Sequence, residues 1–197
     1  MWAAIARWIL RLNGWTMVGE VPLKKKAVFI AAPHTSNWDG VWALVYKVAK
    51  ELEIHWFAKK SLFWFPLGNL LRLLGGIPLD RQRAGSAVDY AVKMFRDSDE
   101  FYFGLAPEGT RSRLDHWKTG FYRIAEAADV PVVLGFLDYG SKRVGVGPVV
   151  KLSGDQEIDL AILRDFYDGI EGRWPEQASP IEFAPRRATG GRKKGRD

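Results

Sequence analysis

Two short runs of uncharged, mostly apolar residues constrain the fold of this chain more than any other feature. Residues 27–32 read Ala-Val-Phe-Ile-Ala-Ala, and residues 101–106 read Phe-Tyr-Phe-Gly-Leu-Ala. Each run has the length of a β-strand and is apolar at successive positions, which is typical of a strand covered on both faces. A proline follows each run directly, and polar residues come next. The two runs therefore predict buried strands that end in polar loops.

Segments with helical spacing of apolar residues alternate with these and other strand-like runs. Helices are predicted at 2–12, 39–52, 70–74, 84–97 and 120–128, with further strands at 54–58, 75–79 and 130–137 and one or two strands at 143–150. Such alternation predicts an α/β sheet with helices on both faces, and 197 residues suffice for one such domain. Ligands of α/β sheets bind in the crevice beyond the carboxyl ends of the strands.

The amino-acid composition limits the partners and the kinds of chemistry that the chain can have. The 29 Lys and Arg residues exceed the 23 Asp and Glu residues, giving a net charge of +6. This excess favours an anionic partner, whether phospholipid, nucleic acid or phosphorylated cofactor. The absence of cysteine excludes disulfides, thiolate nucleophiles and cysteine-ligated zinc. No run approaches the roughly 20 apolar residues that span a bilayer, and charges in the first segment exclude a signal peptide.

Three segments bear on domain organisation and membrane contact. Residues 2–12 place Trp2, Trp8 and Leu12 on one face of the predicted helix, which suits either a lipid interface or docking on the protein itself. The apolar segment 62–74 either contacts the bilayer, lines an apolar groove or belongs to the core. We expect an amphipathic helix within residues 1–20 that can contact a membrane, the main domain at 21–184, and a disordered basic tail at 185–197.

His34 and Asp39 lie at the turn between the first buried strand and the helix after it. A carboxylate bonded to one imidazole nitrogen fixes the tautomer and leaves the other nitrogen to take a proton from a hydroxyl. Two simpler interpretations remain open at this point. Asp39 can cap the helix, and His34 can be a turn residue with satisfied hydrogen bonds.

A second polar loop, Glu108-Gly109-Thr110-Arg111, follows the second buried strand. Gly109 allows a close approach of the backbone to a ligand, and the planar guanidinium of Arg111 suits a phosphate. A β-turn with a surface arginine is the alternative. Arg81 lies one short strand beyond the glycine turn at Gly76 and is unremarkable by itself.

Together these segments resemble the glycerolipid acyltransferase superfamily, best known through the 1-acyl-glycerol-3-phosphate acyltransferases. The family's Asn-His-x-Ser-x-x-Asp block corresponds to residues 33–39, Pro-His-Thr-Ser-Asn-Trp-Asp, and its Pro-Glu-Gly-Thr-Arg block is intact at 107–111. A glycine, a short hydrophobic stretch and an arginine match at 76–81, and a Val-Pro block begins at Val130. Pro33, Pro78 and Leu134 depart from the usual residues, which indicates a short, divergent branch.

The resemblance implies the fold of a glycerol-3-phosphate acyltransferase, with a single domain and a mixed, mostly parallel sheet. It also implies acyl transfer from acyl-CoA or acyl carrier protein to the hydroxyl of a lysophospholipid, at the cytoplasmic surface of a membrane. The implied catalytic pair is His34 and Asp39, acting without a cofactor or metal. The residues implied or considered for the acceptor site are Arg81, Glu108, Gly109, Thr110 and Arg111, with Ser36, Lys59 and Lys118 as additional contacts.

Two rival functions remain at the level of sequence. The same chemistry can act on another acceptor, such as a lyso-aminolipid. Alternatively, the chain is a non-catalytic basic protein that binds membranes or nucleic acid. No helix-turn-helix or aromatic RNA-binding motif supports a nucleic-acid partner, and none is expected.

Overall fold

A seven-stranded sheet forms the centre of the computed structural model, which describes residues 1–21, 24–80 and 87–184. Its strands, in spatial order, are β1 (Thr16–Val18), β7 (Arg143–Val150), β6 (Val132–Asp138), β2 (Lys26–Ala32), β5 (Phe101–Leu105), β3 (Ile54–Lys59) and β4 (Gly76–Leu79). All neighbouring pairs are parallel except the antiparallel hairpin of β6 and β7. The expected α/β fold with a mixed, mostly parallel sheet is confirmed.

Helices cover both faces of the sheet. They are α1 (Trp2–Leu12), α2 (Asn37–Ala49), α3 (Leu67–Leu73), α4 (Ala87–Asp97), α5 (Gly120–Ala128) and α6 (Gln156–Tyr167). Because successive side chains of a strand point to opposite faces, β2 contributes to two cores. Ala27 and Phe29 pack in the core under α1 and α2, whereas Val28 and Ile30 pack in the core formed with α4, α5 and α6. The uninterrupted apolar character of this strand reflects burial on both sides.

The boundaries agree with the sequence-based expectations for most elements, and two elements were not predicted. The short edge strand β1 has only three residues, too few for a recognisable pattern. Helix α6 was not predicted although Leu160, Leu163 and Tyr167 are buried at helical spacing. The predicted residues 84–86 of α4 and the expected basic tail at 185–197 lie outside the described residues.

Helix α1 docks through small residues and presents large ones outward. Ala3, Ala6 and Leu10 are buried against the domain, mainly along α2. Trp2 and Trp8 on the other side are 75% and 62% exposed. The helix therefore docks on the protein, while most of its predicted apolar stripe faces away from the domain; contact of that stripe with lipid stays a prediction.

The largest side chains of the apolar segment 62–74 lie outside the core. Phe65 and Leu73 are 81% and 82% exposed, and Leu62, Trp64 and Leu70 are also exposed. Lys47 of α2 donates to the carbonyl oxygen of Leu74 at 2.7 Å, so α3 ends beside α2. No helix within the described residues is long and apolar enough to cross a bilayer.

Sheet order brings the two predicted polar loops together. Because β2 and β5 are adjacent and parallel, with Ile30 opposite Leu105, the loops after them leave the same edge side by side. β6 lies on the other side of β2 and also runs parallel to it. Three loops, after β2, β5 and β6, therefore meet at one edge of the sheet.

Candidate active site

The loop after β2 pairs His34 with Asp39. The His34 Nδ1 atom lies 3.2 Å from the Asp39 Oδ2 atom. The Asp39 side chain is 3% exposed, whereas that of His34 is 26% exposed and is therefore accessible from solvent. The predicted pair is thus in contact, with the carboxylate buried and the imidazole at the surface.

Asp39 also caps helix α2, so the two sequence interpretations of this residue are compatible. Its Oδ2 atom accepts the backbone N–H groups of Thr35 and Ser36, each at 2.8 Å, and Ser36 completes the capping box through its own hydroxyl. Burial acts to raise the pKa of Asp39. The hydrogen bonds, led by that to His34 and including one from Tyr139, outweigh burial and hold the pKa below its usual value. Asp39 therefore stays ionised beside the imidazole.

Glu108 lies beneath the same loop rather than at its surface. Its carboxylate is 1% exposed, and both oxygens face the backbone N–H of His34 at 3.2 and 3.1 Å. Beside it is a cavity of about 170 Å³, lined also by Pro33, Trp117 and Tyr167. Desolvation raises the pKa of Glu108 to about 7, against the opposing hydrogen bond from His34. At this location Glu108 supports the His34 loop. The sequence predicted that Glu108 contacts the acceptor. That contact stays a prediction, and the burial of the carboxylate does not favour it.

The remaining residues of the second loop surround the mouth of the site. Gly109 has φ +65°, a backbone conformation that disfavours larger residues, and the flexible Lys118 side chain lies 2.8 Å from where a Cβ would be. The Arg111 guanidinium donates to the side-chain oxygen of Asn37 at the start of α2. The Thr110 hydroxyl accepts from the backbone N–H of Ser112 at 3.4 Å. Arg111 and Lys118 are exposed and add positive charge, Arg111 at the start of α2 and Lys118 beside Gly109.

Of the two other predicted contacts, one lies away from the dyad and one is outside the described residues. Lys59 ends β3, two strands from β2 on the same edge, and its exposed side chain has no contact with the dyad within the described residues. Arg81 lies outside the described residues. Metal binding has no support from the part of the chain that the structure describes, since no group of three or more His, Cys, Asp or Glu side chains there could hold an ion.

The segment after α6 closes one side of the site and was not predicted. The backbone N–H of Trp174 donates to the Thr35 hydroxyl at 3.2 Å. The Gln177 amide, assigned from its hydrogen-bond partners, donates to the carbonyl oxygens of Thr35 and Arg111 at 3.3 and 2.8 Å. Thr35 and Trp174 are 139 residues apart, so no local pattern in the sequence could predict their contact.

The same segment supplies a further guanidinium. Arg173 lies over the rings of Trp38 and Trp174, at 5.8 and 5.7 Å from their centroids. It also lies near the Tyr139 hydroxyl, where its charge acts to lower the tyrosine pKa. Arg173 forms no ion pair within the described residues, so its charge is available at the mouth of the site.

The site combines an accessible imidazole, a buried carboxylate in contact with it and exposed cations, at the carboxyl end of a mostly parallel sheet. Enzymes that activate a hydroxyl by general-base catalysis use groups of this kind. The comparisons with known proteins narrow this class. The family described as Acyltransferase matches residues 15–133, which is more than half of the chain, and the protein belongs to that family.

A comparison with solved structures agrees at the level of fold. The chain is similar to the crystal structure of the 1-acyl-sn-glycerophosphate (LPA) acyltransferase PlsC from Thermotoga maritima, with a TM-score of 0.61 and 20% sequence identity. The match covers 88% of this chain and 79% of that one. No curated protein sequence matches significantly. Family and fold together confirm the resemblance predicted from the sequence blocks.

Proposed function

We propose that this acyltransferase moves a fatty acyl group from an acyl thioester, acyl-CoA or acyl carrier protein, to the hydroxyl of a lysophospholipid such as 1-acyl-glycerol-3-phosphate. The observation that carries the proposal is the His34–Asp39 contact at a sheet edge where the Glu108–Arg111 loop meets it. Asp39 holds Nδ1 of the imidazole, which leaves Nε2 to act on the acceptor hydroxyl.

The proposed reaction is a direct transfer. His34 takes the proton of the acceptor hydroxyl as its oxygen attacks the thioester carbonyl carbon, which forms a C–O bond. The resulting tetrahedral intermediate collapses, the C–S bond breaks, and the imidazolium returns its proton to the leaving thiolate. No acyl-enzyme is formed, in keeping with a chain that has no cysteine.

Exposed cations favour an anionic acceptor. Arg111 bonds Asn37 at the start of α2, and Arg173 lies over Trp38 one residue further on, so two guanidinium groups approach the helix beside His34. A guanidinium can hold a phosphate through two parallel hydrogen bonds. We therefore expect a phosphate monoester to be a better acceptor than a neutral monoacylglycerol.

An acceptor panel with the full chain tests this function. With palmitoyl-CoA or palmitoyl carrier protein as donor, we expect thiol release, read with a thiol reagent, to be fastest with 1-acyl-glycerol-3-phosphate. Loss of a charge-assisted contact in Arg111→Gln should raise the acceptor KM by about 10-fold or more and leave the rate with monoacylglycerol unchanged.

Arg96→Gln is the matched control, because Arg96 is an exposed arginine in the last turn of α4, which leads into the amino end of β5, away from the dyad. An unchanged acceptor KM in Arg111→Gln would remove Arg111 from the acceptor site. Faster transfer to a lyso-aminolipid would change the acceptor class, and no thiol release with any acceptor would overturn the proposed activity.

We also propose that the enzyme works at the cytoplasmic surface of a membrane through the outward face of α1. This face carries Trp2, Ile5, Trp8 and Leu12, all exposed, with Arg11 beside them. Tryptophan beside arginine suits the boundary between acyl chains and anionic headgroups. The exposed apolar side chains of residues 62–73 extend the apolar surface available to lipid.

Vesicle co-sedimentation tests this docking with the full chain. Because burying each large side chain stabilises binding by roughly 1.5–3 kcal/mol, Trp2→Ser/Trp8→Ser should weaken binding to phosphatidylglycerol-containing vesicles by at least about 10-fold. The control is Ile158→Ser/Ile162→Ser, which removes exposed apolar side chains from α6 on the other face of the sheet. Equal loss of binding in both variants, or no loss in the first, would contradict docking through α1.

A further inference from the structure

We propose that Tyr139, which the family blocks do not include, is a positioning residue that fixes the Asp39 carboxylate and through it the His34 imidazole. The inference rests on the proposed function, in which His34 is the general base. The Tyr139 hydroxyl donates to the Asp39 Oδ1 atom at 2.8 Å, across 100 residues of sequence.

The two Asp39 oxygens are held from different parts of the fold. Oδ2 accepts the Thr35 and Ser36 N–H groups and faces His34, so all its contacts come from the loop that the dyad itself occupies. Oδ1 accepts from Tyr139, which directly follows β6. Tyr139 therefore ties the dyad to the sheet and sets the rotation of the carboxylate plane.

Tyr139 is itself held in place. Its backbone N–H donates to the Glu171 carbonyl oxygen at 2.8 Å, and its ring packs edge-on against Trp15 at 5.0 Å between centroids. The neighbouring Asp138 is 3% exposed and accepts the Gly140 and Ser141 N–H groups, which shapes the turn. A tyrosine whose backbone and ring are held in this way can restrict the carboxylate that its hydroxyl contacts.

Charged groups from several elements lie around the hydrogen bond between Tyr139 and Asp39. Arg173 lies near the Tyr139 hydroxyl, and the Lys142 ammonium lies 5.9 Å from the Tyr139 ring centroid. Glu108 and His34 lie near Asp39 on the side of β5 and β2. Burial and the Asp39 charge raise the pKa of Tyr139, against Arg173, so the hydroxyl keeps its proton and remains a donor.

Tyr139→Phe tests the assignment, because it removes the hydroxyl and keeps the ring that packs on Trp15. An Asp39 carboxylate with one donor fewer holds a protonated imidazole more strongly, so the base becomes active only at higher pH. We expect kcat to fall about 10-fold with little change in KM, and the acidic limb of the pH–rate profile to move upward by roughly half to one pH unit.

The control is Tyr122→Phe, which removes another buried tyrosine–aspartate hydrogen bond. The Tyr122 hydroxyl donates to the buried Asp159 at 2.7 Å, in the core under α5 and α6. This variant should lose stability without any shift in the pH–rate profile. If Tyr139→Phe behaves in the same way, with only stability changed, Tyr139 is a structural residue and the inference is wrong.

A readout that needs no substrate separates this inference from the proposed function. The His34 ring-proton titration, followed by NMR in the full chain and assigned with His34→Ala, should move to higher pH in Tyr139→Phe and stay unchanged in Tyr122→Phe. An unmoved titration would overturn the positioning role even if acyl transfer is found. A chain that shows the shift but transfers no acyl group would instead overturn the proposed function.

Discussion

His34→Ala should lower kcat/KM for acyl transfer by about 10³-fold, the range expected when a positioned general base is removed. The fold should persist, because the side chain is 26% exposed and contacts Asp39 at the surface of the domain. Asp39 would keep its hydrogen bonds from Thr35, Ser36 and Tyr139. Initial rates of thiol release, with the urea midpoint of unfolding measured in parallel, check both parts of this expectation.

His116→Ala is the matched control for a histidine outside the dyad. His116 lies in the loop before α5 and is partly exposed, and its loss should leave kcat/KM within about twofold of the parent value. Activity of His34→Ala within tenfold of the parent would remove His34 as the base. A collapse of its urea midpoint would mean that lost activity reports unfolding rather than chemistry.

The second large effect is a dependence of the free energy of unfolding on pH that arises from Glu108. Its pKa is raised to about 7 from an ordinary value of 4.5, so between these pH values the folded state binds more protons than the unfolded chain. Raising the pH through this window therefore lowers the free energy of unfolding, by on the order of 3 kcal/mol in total. This loss of stability is absent below about pH 4.5 and complete above pH 7.

Glu108→Gln should remove this dependence, because the amide oxygen can still accept from the His34 N–H but does not titrate. Urea unfolding of the parent and the variant between pH 5 and 8 should show a difference in free energy that grows with pH in favour of the variant. Asp39 and Asp138, whose pKa values are lowered, act in the more acidic range and are common to both proteins. Glu126→Gln, an exposed change on α5, should give a constant difference. A constant difference for Glu108→Gln as well would show that burial does not raise its pKa.

Local pattern was sufficient for most of the sheet and for the core of the site. The apolar runs at 27–32 and 101–106 correspond to β2 and β5, and the turn after each carries the residues that matched the family. His34 and Asp39 are five residues apart across a strand-to-helix turn, and their contact needs only that turn. Hydrophobic periodicity and short-range spacing encode such features because they depend on neighbouring residues.

Glu108 shows what the local pattern left open. Its motif and its neighbours Gly109 and Arg111 suggested contact with the acceptor, which stays a prediction. The structure places its carboxylate under the His34 loop, because β5 lies next to β2 and brings residues 74 apart into contact. The direction in which a side chain leaves a loop depends on the strand beside it, and the sequence of the loop does not specify that strand.

By itself, the sequence determined the α/β class, the two buried strands, the contact of His34 with Asp39 and the family, since each rests on periodicity or on a contiguous block of residues. Only the tertiary structure decided that Tyr139 holds Asp39, that Arg173 and Trp174 return to the site, and that Glu108 lies beneath it. These contacts join residues 74 to 139 positions apart. They follow from the order β6-β2-β5 in the sheet and from the path of the chain after α6, which no local pattern along the chain records.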